Sequence, residues 1–403
     1  VNDLRELVKD VVRRDACSGC GLCTRLDAGL EMRLDERGHL RPVAAGRASS
    51  ATGAAEVFAR SCPGMRVTAQ RPAGSERHPL LGSYFGVWEA WATDAEMRFA
   101  GSSGGALTAL HAWLVSSGRA VRVTGAAGDP RGTRRSIPVT ITTRAEALAA
   151  AGSRYAPVAA LSNPDVFAPG SAVTAKPCEA SAMRAMTAAT GEEPPLLLSF
   201  FCAGTPSQLA TDTLLDSLGV PPDEDVSALR YRGNGWPGHF TARAGDRLVD
   251  ADYETSWGSA LGPTTQWRCK MCPDGVGESA DLVSADSWAT DERGYPLFTE
   301  GDGVSALIAR TRRGLAVAEA AIAAGVIQVR PLEISRLADA QPLQTARRRY
   351  LQARLWGSRL GGRRPARYRG FELIRLGLRH PRQFVRVLRG TYRRVRAARR
   401  TPA

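Results

Sequence analysis

The sequence predicts an α/β fold, a mixed sheet with covering helices, preceded by a small cysteine-rich module and followed by a basic helical tail. Three observations predict it. Strand-like apolar runs alternate with helical periodicity from about Leu80 to Ala340. Three cysteines crowd into "ACSGCGLC", residues 16–23. Residues 341–403 hold 19 Arg, no Lys and one acid, Glu372. We therefore divide the 403 residues into 1–80, 81–340 and 341–403, with no internal repeat.

In the first segment, "VNDLRELVKDVVRRD" reads as a charged helix and lacks the apolar core of a signal peptide. "LEMRLDERGHLRP" alternates around Arg37-Gly38, as a hairpin does. "RPAGSERHP", residues 71–79, reads as a linker. In the second segment "GVWEAWA", "AVRVTGAA", "SAVTA", "PLLLSFF", "ADLVSADSW" and "VSALIARTRRG" have strand character. "GGALTALHAWLVSSG", "EASAMRAMTAA" and "SQLATDTLLDSLG" have helical spacing, the first stopped by Gly118. In such sheets ligands gather at the carboxyl ends of strands. Cys178 follows "SAVTA" and Cys202 closes "PLLLSFF", where a site is expected; a small buried hydrophobe is the plain alternative for each.

Charge is confined to one end. The tail carries +18 within a chain of net +14, which leaves −4 on the other 340 residues. A general nucleic-acid binder is not expected from that distribution. "FELIRLGLR" and "QFVRVLRGTYRRVRAARR" place Arg among apolar residues at helical spacing, with Phe384, Leu388, Tyr392 and Val395 on one face. Such a helix suits an anionic membrane surface or an acidic partner; a self-docked helix is the simpler reading. No run of about 18 apolar residues occurs, and the expected location is the cytoplasm, peripheral at the inner membrane face if the tail binds lipid. Eight cysteines in such a chain are read as ligands or catalysts rather than disulfides.

Those cysteines form two constellations. Cys17, Cys20 and Cys23 are spaced three apart, and Cys62 precedes Pro63. This spacing suits a 4Fe-4S cluster, with Gly19 and Gly21 allowing the tight turn and offering N–H groups to sulfur. Cys62 is the candidate fourth ligand, although in two-cluster ferredoxins the Cys before Pro serves the other cluster. Structural zinc is the competitor. Cys178, Cys202, Cys269 and Cys272 remain, and we expect a second cluster from them, against a zinc site or a redox-active "CKMC" pair. Only three of the 54 basic residues are Lys, and two, Lys176 and Lys270, lie within two residues of a cysteine. Chance explains this, or an ammonium is wanted beside a cluster or flavin.

Two further stretches point to a ligand. "GSSGGALTAL", 101–110, puts Ser and Gly before a helix whose free N–H groups suit a phosphate; Ser102 or Ser103 as N-cap is the alternative. "RYRGNGWPGHF", 230–240, sets Arg and aromatic groups beside flexible backbone and suits a planar anionic ligand, or is a structural turn.

Jointly these motifs resemble the beta subunits of coenzyme F420-reducing hydrogenase and formate dehydrogenase, a family that includes the 7-hydroxymethyl chlorophyll a reductase of plants. The resemblance rests on "CSGCGLC", "SCPG", "SSGGALTAL", "SRYAPV", "AKPCEASAMRA", "FFCAGTPS", "YRGNGWPG" and "CKMCPDGVGESADLVSADSW", in the family's order over residues 17–288. It implies an oxidoreductase with FAD and one or two 4Fe-4S clusters, so the first segment is expected to be a ferredoxin-like iron–sulfur module. It implies a ferredoxin-like donor, a partner redox subunit or coenzyme F420 itself, exchanging electrons with a small-molecule substrate. It implies FAD contacts from Ser102, Ser103, Gly104, Gly105, Thr108, Tyr155, Lys176, Asn234 and Trp236. Cluster ligands would be Cys17, Cys20, Cys23, Cys62, Cys178, Cys202, Cys269 and Cys272. Lys176 is the candidate catalytic residue, stabilising reduced flavin or a substrate carboxylate. Ala175-Lys176 stand where many members carry Gly-Thr. A non-catalytic electron-transfer or zinc-stabilised interaction protein is the rival reading.

Overall fold

A computed structural model of the chain describes residues 3–289, 291, 297 and 299–400, the last two of these by backbone only. The first segment opens with helix α1 (Leu4–Arg13), N-capped by Asp3. The short helix α2 (Leu22–Leu26) follows the cysteine run. Strands β1 (Leu30–Leu34) and β2 (Leu40–Ala44) make the expected hairpin. Gly38 supplies its positive φ of 72°. Helix α3 (Ala54–Ser61) ends at Cys62, and β3 (Arg66–Thr68) follows. The stretch expected to be a linker is instead structured. Strand β4 (Glu76–His78) pairs antiparallel with β5 (Gly82–Tyr84), and Arg77 reaches the buried Glu278 at 3.1 Å. Polar composition hid a role fixed by a carboxylate 201 positions away.

The body is one eight-stranded mixed sheet. Its strands are β6 (Gly86–Ala92), β7 (Arg122–Asp129), β8 (Gly132–Ile141), β9 (Ser171–Ala175), β10 (Leu196–Phe200), β14 (Leu282–Asp286), β15 (Ser305–Ala309) and β16 (Ile327–Pro331). They lie in the order β16-β6-β15-β14-β10-β9-β7-β8. Parallel pairs β14/β10, β10/β9 and β9/β7 form the centre, and β6 runs the same way beyond the antiparallel β15. Between β10 and β14 a smaller antiparallel sheet is inserted, β11 (Ala228–Arg230), β12 (Phe240–Ala244) and β13 (Arg247–Ala251).

Alternation along each central strand explains the layering. Val173, Leu197, Val283 and Ile308 point to one side, where they meet Ala180, Ala182, Met183 and Met186 of α7 (Pro177–Thr190). Ala172, Leu198, Leu282 and Leu307 point to the other, against Ala109, Leu110 and Leu114 of α5 (Ala106–Ser116) and Ala318 and Ala321 of α10 (Arg312–Ala323). Each fully buried leucine here contributes about 1.5–3 kcal/mol relative to exposure. Cys20 and Leu22 of the first segment pack into the α7 side, so the cysteine run is pressed against the sheet. The remaining helices of the body are α4 (Ala95–Ala100), α6 (Arg144–Ala149), α8 (Gln208–Ser217), the four-residue α9 (Trp267–Lys270) and α11 (Ile334–Asp339).

The basic tail is docked. It consists of α12 (Pro342–Arg349), α13 (Leu351–Leu360), β17 (Arg367–Arg369), α14 (Leu373–Leu378) and α15 (Pro381–Arg400). Strand β17 pairs in parallel with β3 of the first segment. Helix α15 lies on α13 where Gly357 and Gly361 let it approach Leu388 and Val395. Phe384 and Val395 are buried as expected, but Tyr392 is 39% exposed and Thr391 takes the inward place. One residue around the helix separates the two, and close glycine packing favours the smaller side chain. Residues 401–403 of the tail lie outside the described residues. No described helix is long and apolar enough to cross a membrane.

Candidate functional site

The eight cysteines, all free, fall into two groups of four. Cys17, Cys20, Cys23 and Cys62 form the first, brought together by the "CSGCGLC" turn and the C-terminus of α3. Gly19 donates its N–H to the Cys17 sulfur at 3.4 Å. Gly21 sits at φ 87°, and a Cβ there would lie 2.7 Å from the Ser162 nitrogen, so the turn admits no side chain. Burial lifts the Cys23 thiol well above its ordinary range, and Cys17, Cys20 and Cys62 lift it further. Burial likewise pushes Cys20 up to about 11, with Cys17 and Glu179 adding to it against the Leu22 N–H.

Cys178, Cys202, Cys269 and Cys272 line one cavity, together with Lys176, Arg268, Asp274 and Arg347. Cys178 opens α7 at the end of β9, and Cys202 follows the end of β10. The α9 turn brings Cys269 and Cys272 to the same place, and Thr205 donates its N–H to the Cys269 sulfur at 3.3 Å. The Cys202 thiol is pushed up to about 12 by burial and then by Cys269, with Arg347 pulling the other way. Among the described residues no three His, Cys, Asp or Glu side chains converge as ligands of a single metal ion. Thiolates on a polynuclear cluster bind separate irons, so convergence on one point is not required of them. Two groups of four buried or half-buried thiols fit two such clusters.

Lys176 is nearly enclosed. Its ammonium donates to Glu179 at 2.6 Å and to the Val158 carbonyl at 2.6 Å. Burial works against its charge, but Glu179 and Cys178 outweigh it, and the net shift is upward. Glu179, 1% exposed, also accepts the N–H groups of Lys176 and Ala160. Lys176 is thus a fixed cation held in a salt bridge beside the second thiol group. Lys270, the other lysine beside a cysteine, donates to the Pro263 carbonyl and is exposed.

The "SSGG" loop follows β6 and α4 at the carboxyl end of the sheet. Neither serine is the N-cap: Gly105 is, in the left-handed region and without a side-chain cap. Ser102 Oγ accepts the Ser153 N–H, and Ser103 Oγ donates to the Val304 carbonyl at 2.9 Å. The Gly104 N–H goes to Ser305 Oγ at 3.0 Å. Tight backbone packing here leaves the serines no reach to the helix start, whose first N–H groups stay uncapped. Thr108 is buried in the first turn of α5.

The "YRGNGWPG" stretch packs on this loop. Arg230 donates to the carbonyls of Ala100 and Ala151, both at 3.0 Å, and the Gly235 N–H reaches the Phe99 carbonyl. Gly233, at φ 115°, touches the Ala100 carbonyl where a Cβ would stand at 2.6 Å. Asn234 is exposed in the left-handed region. Trp236 stacks on Trp288 with centroids 4.2 Å apart. The buried Arg232 guanidinium lies about 5 Å from Trp236, Tyr253 and Trp288 and is paired to Asp286 at 2.8 Å. Tyr155 packs on Trp257 at 4.7 Å. Sequence reasoning took these motifs separately; the fold lays them side by side at the ends of β6 and β14. It missed Arg232, Asp286, Tyr253 and Trp288 as one cluster, as well as Glu179, Arg268 and Arg347. Position next to a cysteine was a signal for Glu179 and Arg268; nothing in the sequence marked Arg347.

Comparison with known proteins agrees with this arrangement. Residues 87–163 match the family model for the N-terminal part of the coenzyme F420 hydrogenase/dehydrogenase beta subunit, and residues 170–335 match the model for its C terminus. Among solved structures, a chain of the F420-reducing [NiFe] hydrogenase complex from Methanosarcina barkeri superimposes with a TM-score of 0.55 at 20% identity. The likeness, which is one of fold, covers 72% of this chain and 98% of that one. No curated protein matches. Both halves of one family's subunit are thus present in order across the sheet and its sites, and the chain belongs to the coenzyme F420 hydrogenase/dehydrogenase beta subunit family, a family of oxidoreductase subunits.

Proposed function

We propose that the protein is an iron–sulfur flavoprotein that moves electrons between a one-electron donor or coenzyme F420 and an organic substrate. One observation carries this: eight cysteines spread from position 17 to position 272 gather into two groups of four, none of them exposed. Cys17, Cys20, Cys23 and Cys62 would hold one 4Fe-4S cluster, and Cys178, Cys202, Cys269 and Cys272 the other. FAD would lie against the uncapped start of α5, with Trp236 and Tyr155 nearby. Clusters supply one-electron transfer and a flavin joins it to two-electron chemistry.

The chain's own residues set the conditions. Burial or half-burial of the thiols lowers the local dielectric, so fixed charges act more strongly than in water. Lys176, held by Glu179 and Val158, offsets negative charge at the second group. Arg347 does the same from the tail, its guanidinium donating to the Cys202 carbonyl at 2.7 Å. The aromatic cluster around Arg232 offers ring faces and positive charge to a planar anionic ligand.

A redox partner with an acidic surface fits the tail. Arg382, Arg386, Arg389, Arg393 and Arg396 are exposed on α15, and none is paired with a carboxylate among the described residues.

Anaerobic purification tests the whole. A brown protein with flavin absorption and about eight iron atoms per chain is expected. Colourless protein carrying zinc would favour the rival, a zinc-stabilised interaction protein.

A further inference from the structure

Arg268 occupies an unusual position. It is the second residue of α9, immediately before Cys269, and is 3% exposed. One N–H, on Nη2, reaches the carbonyl of Pro63 at 2.9 Å, and Pro63 follows Cys62 of the first thiol group. Arg268 also lines the cavity that holds Cys178, Cys202, Cys269 and Cys272. A single cation therefore touches the frame of both groups.

Its surroundings lack what a buried arginine ordinarily needs. Among the described residues no carboxylate pairs with it, and its Nε has no hydrogen-bond partner. Tyr368 faces the guanidinium with its ring centroid at 5.7 Å, which supplies weak compensation. Removing an ion from water costs several kcal/mol even after the protein relaxes. Nearby cations are accounted for differently. Lys176 has Glu179, and Arg41 lies 3.4 Å from Asp35 with its Nη1 on Gln266. Arg347 donates to Cys202, Ala203 and Gln344 and belongs to the second group alone. An enclosed guanidinium with no carboxylate partner among the described residues, set between two sets of thiols, is best explained by negative charge that gathers on both sets.

We propose that Arg268 is a positioning cation shared by the two cysteine groups, favouring the reduced, more negative state of both clusters and so holding both reduction potentials up. This rests on the two-cluster reading above. A ligand-side cation serving only one group would need no contact with Pro63. A cation serving only the first would not line the second cavity.

The test is potentiometry by electron paramagnetic resonance on the full chain, with iron counted in the same samples. In Arg268→Gln, iron near the wild-type content and both clusters at least tenfold harder to reduce are expected, which is about 59 mV each for a one-electron couple. Arg347→Gln, the control, should shift only one cluster. Arg268→Gln with full iron that shifts one cluster or neither overturns the proposal. If that variant loses iron, Arg268→Lys carries the test, because it keeps the charge and gives up the planar fork. Both potentials are then expected within threefold of wild type in reduction equilibrium, and a tenfold shift of either overturns the idea. A wild-type protein without iron overturns the two-cluster reading and this inference together, whereas Arg268→Gln with full iron and unmoved potentials overturns the inference alone.

Discussion

Arg348 of the tail and Glu278, six residues beyond Cys272, form an ion pair in which the side chains are 3% and 1% exposed. Arg77 joins the same carboxylate from the first segment. Burial alone would raise the Glu278 carboxyl, but Arg348 and Arg77 outweigh it and hold it below the usual range. One carboxylate thus ties all three stretches of the chain together beside the second cysteine group. Removing a partner from a buried pair leaves an uncompensated charge, so Glu278→Gln should cost about 3–5 kcal/mol. The Arg71–Glu372 pair is exposed, and Arg71→Ala should cost less than about 1 kcal/mol. Urea unfolding of both variants checks this, and equal losses would remove the distinction.

The Lys176–Glu179 pair separates structure from charge. Lys176→Met should destabilise the protein by about 3–5 kcal/mol, because Glu179 stays buried. Adding Glu179→Leu should restore part of that loss. If the ammonium also acts on the second cysteine group, the double variant regains stability while its cluster potential remains low. A double variant no more stable than the single one argues against the pairing as the source of the cost.

Acid sensitivity follows from Asp27. Hydrogen bonding to Arg5 holds its carboxyl down at about 2, against the cost of burial, with help from the Ser49 and Gly29 N–H groups. A depressed carboxylate stabilises the fold above its unfolded value, and that contribution is lost as pH falls through the folded one. The window is therefore about pH 4 down to pH 2. Solvent screens the partly exposed Arg5, so we expect about 1–2 kcal/mol at neutral pH. Asp27→Asn should lose that amount at pH 7 and show a flatter acid limb in unfolding measured against pH.

Iron content discriminates the two cysteine groups. Cys62→Ser should remove the first cluster and leave about four iron atoms, and Cys202→Ser should do the same for the second. Full iron in Cys62→Ser would mean that Cys62 is not a ligand. Loss of all iron in both variants would mean that the groups do not load independently.

The central sheet was legible because its strands are covered on both faces. Runs such as "PLLLSFF" and "SAVTA" are mostly apolar, and Gly stops mark the ends of helices α5 and α8. Strands β8, β11, β12, β13 and β16 were not, since they carry Arg, Thr and Asp on half-exposed faces, and β16 also owes its pairing to β6, far back along the chain. The cysteine groups could be read from spacing and count, because thiols at three-residue intervals have few other uses. The charges around them could not. Arg347 and Arg348 sit in the run "ARRRY", and only the fold distinguishes the one facing Cys202 and the one facing Glu278 from an ordinary solvated arginine.

The last prediction concerns the arginine row of α15. Phe384, Thr391 and Val395 face α13, which leaves Arg382, Arg386, Arg389, Arg393 and Arg396 toward solvent. Deleting the whole tail would also remove Arg348 and β17, so it cannot separate docking from folding. Reversing Arg386, Arg389 and Arg393 to Glu in the full chain avoids this, because those side chains make no described contact that the fold needs. Unfolding should stay within about 1 kcal/mol of wild type, as for exposed sites. Reduction by an acidic ferredoxin should slow at least tenfold at low salt, and the difference should shrink as ionic strength rises, because screening shortens the reach of the charges to about 10 Å at 0.1 M. If reduction is unchanged while flotation with anionic vesicles is lost in the variant, the row serves a membrane surface and the acidic partner is excluded from it.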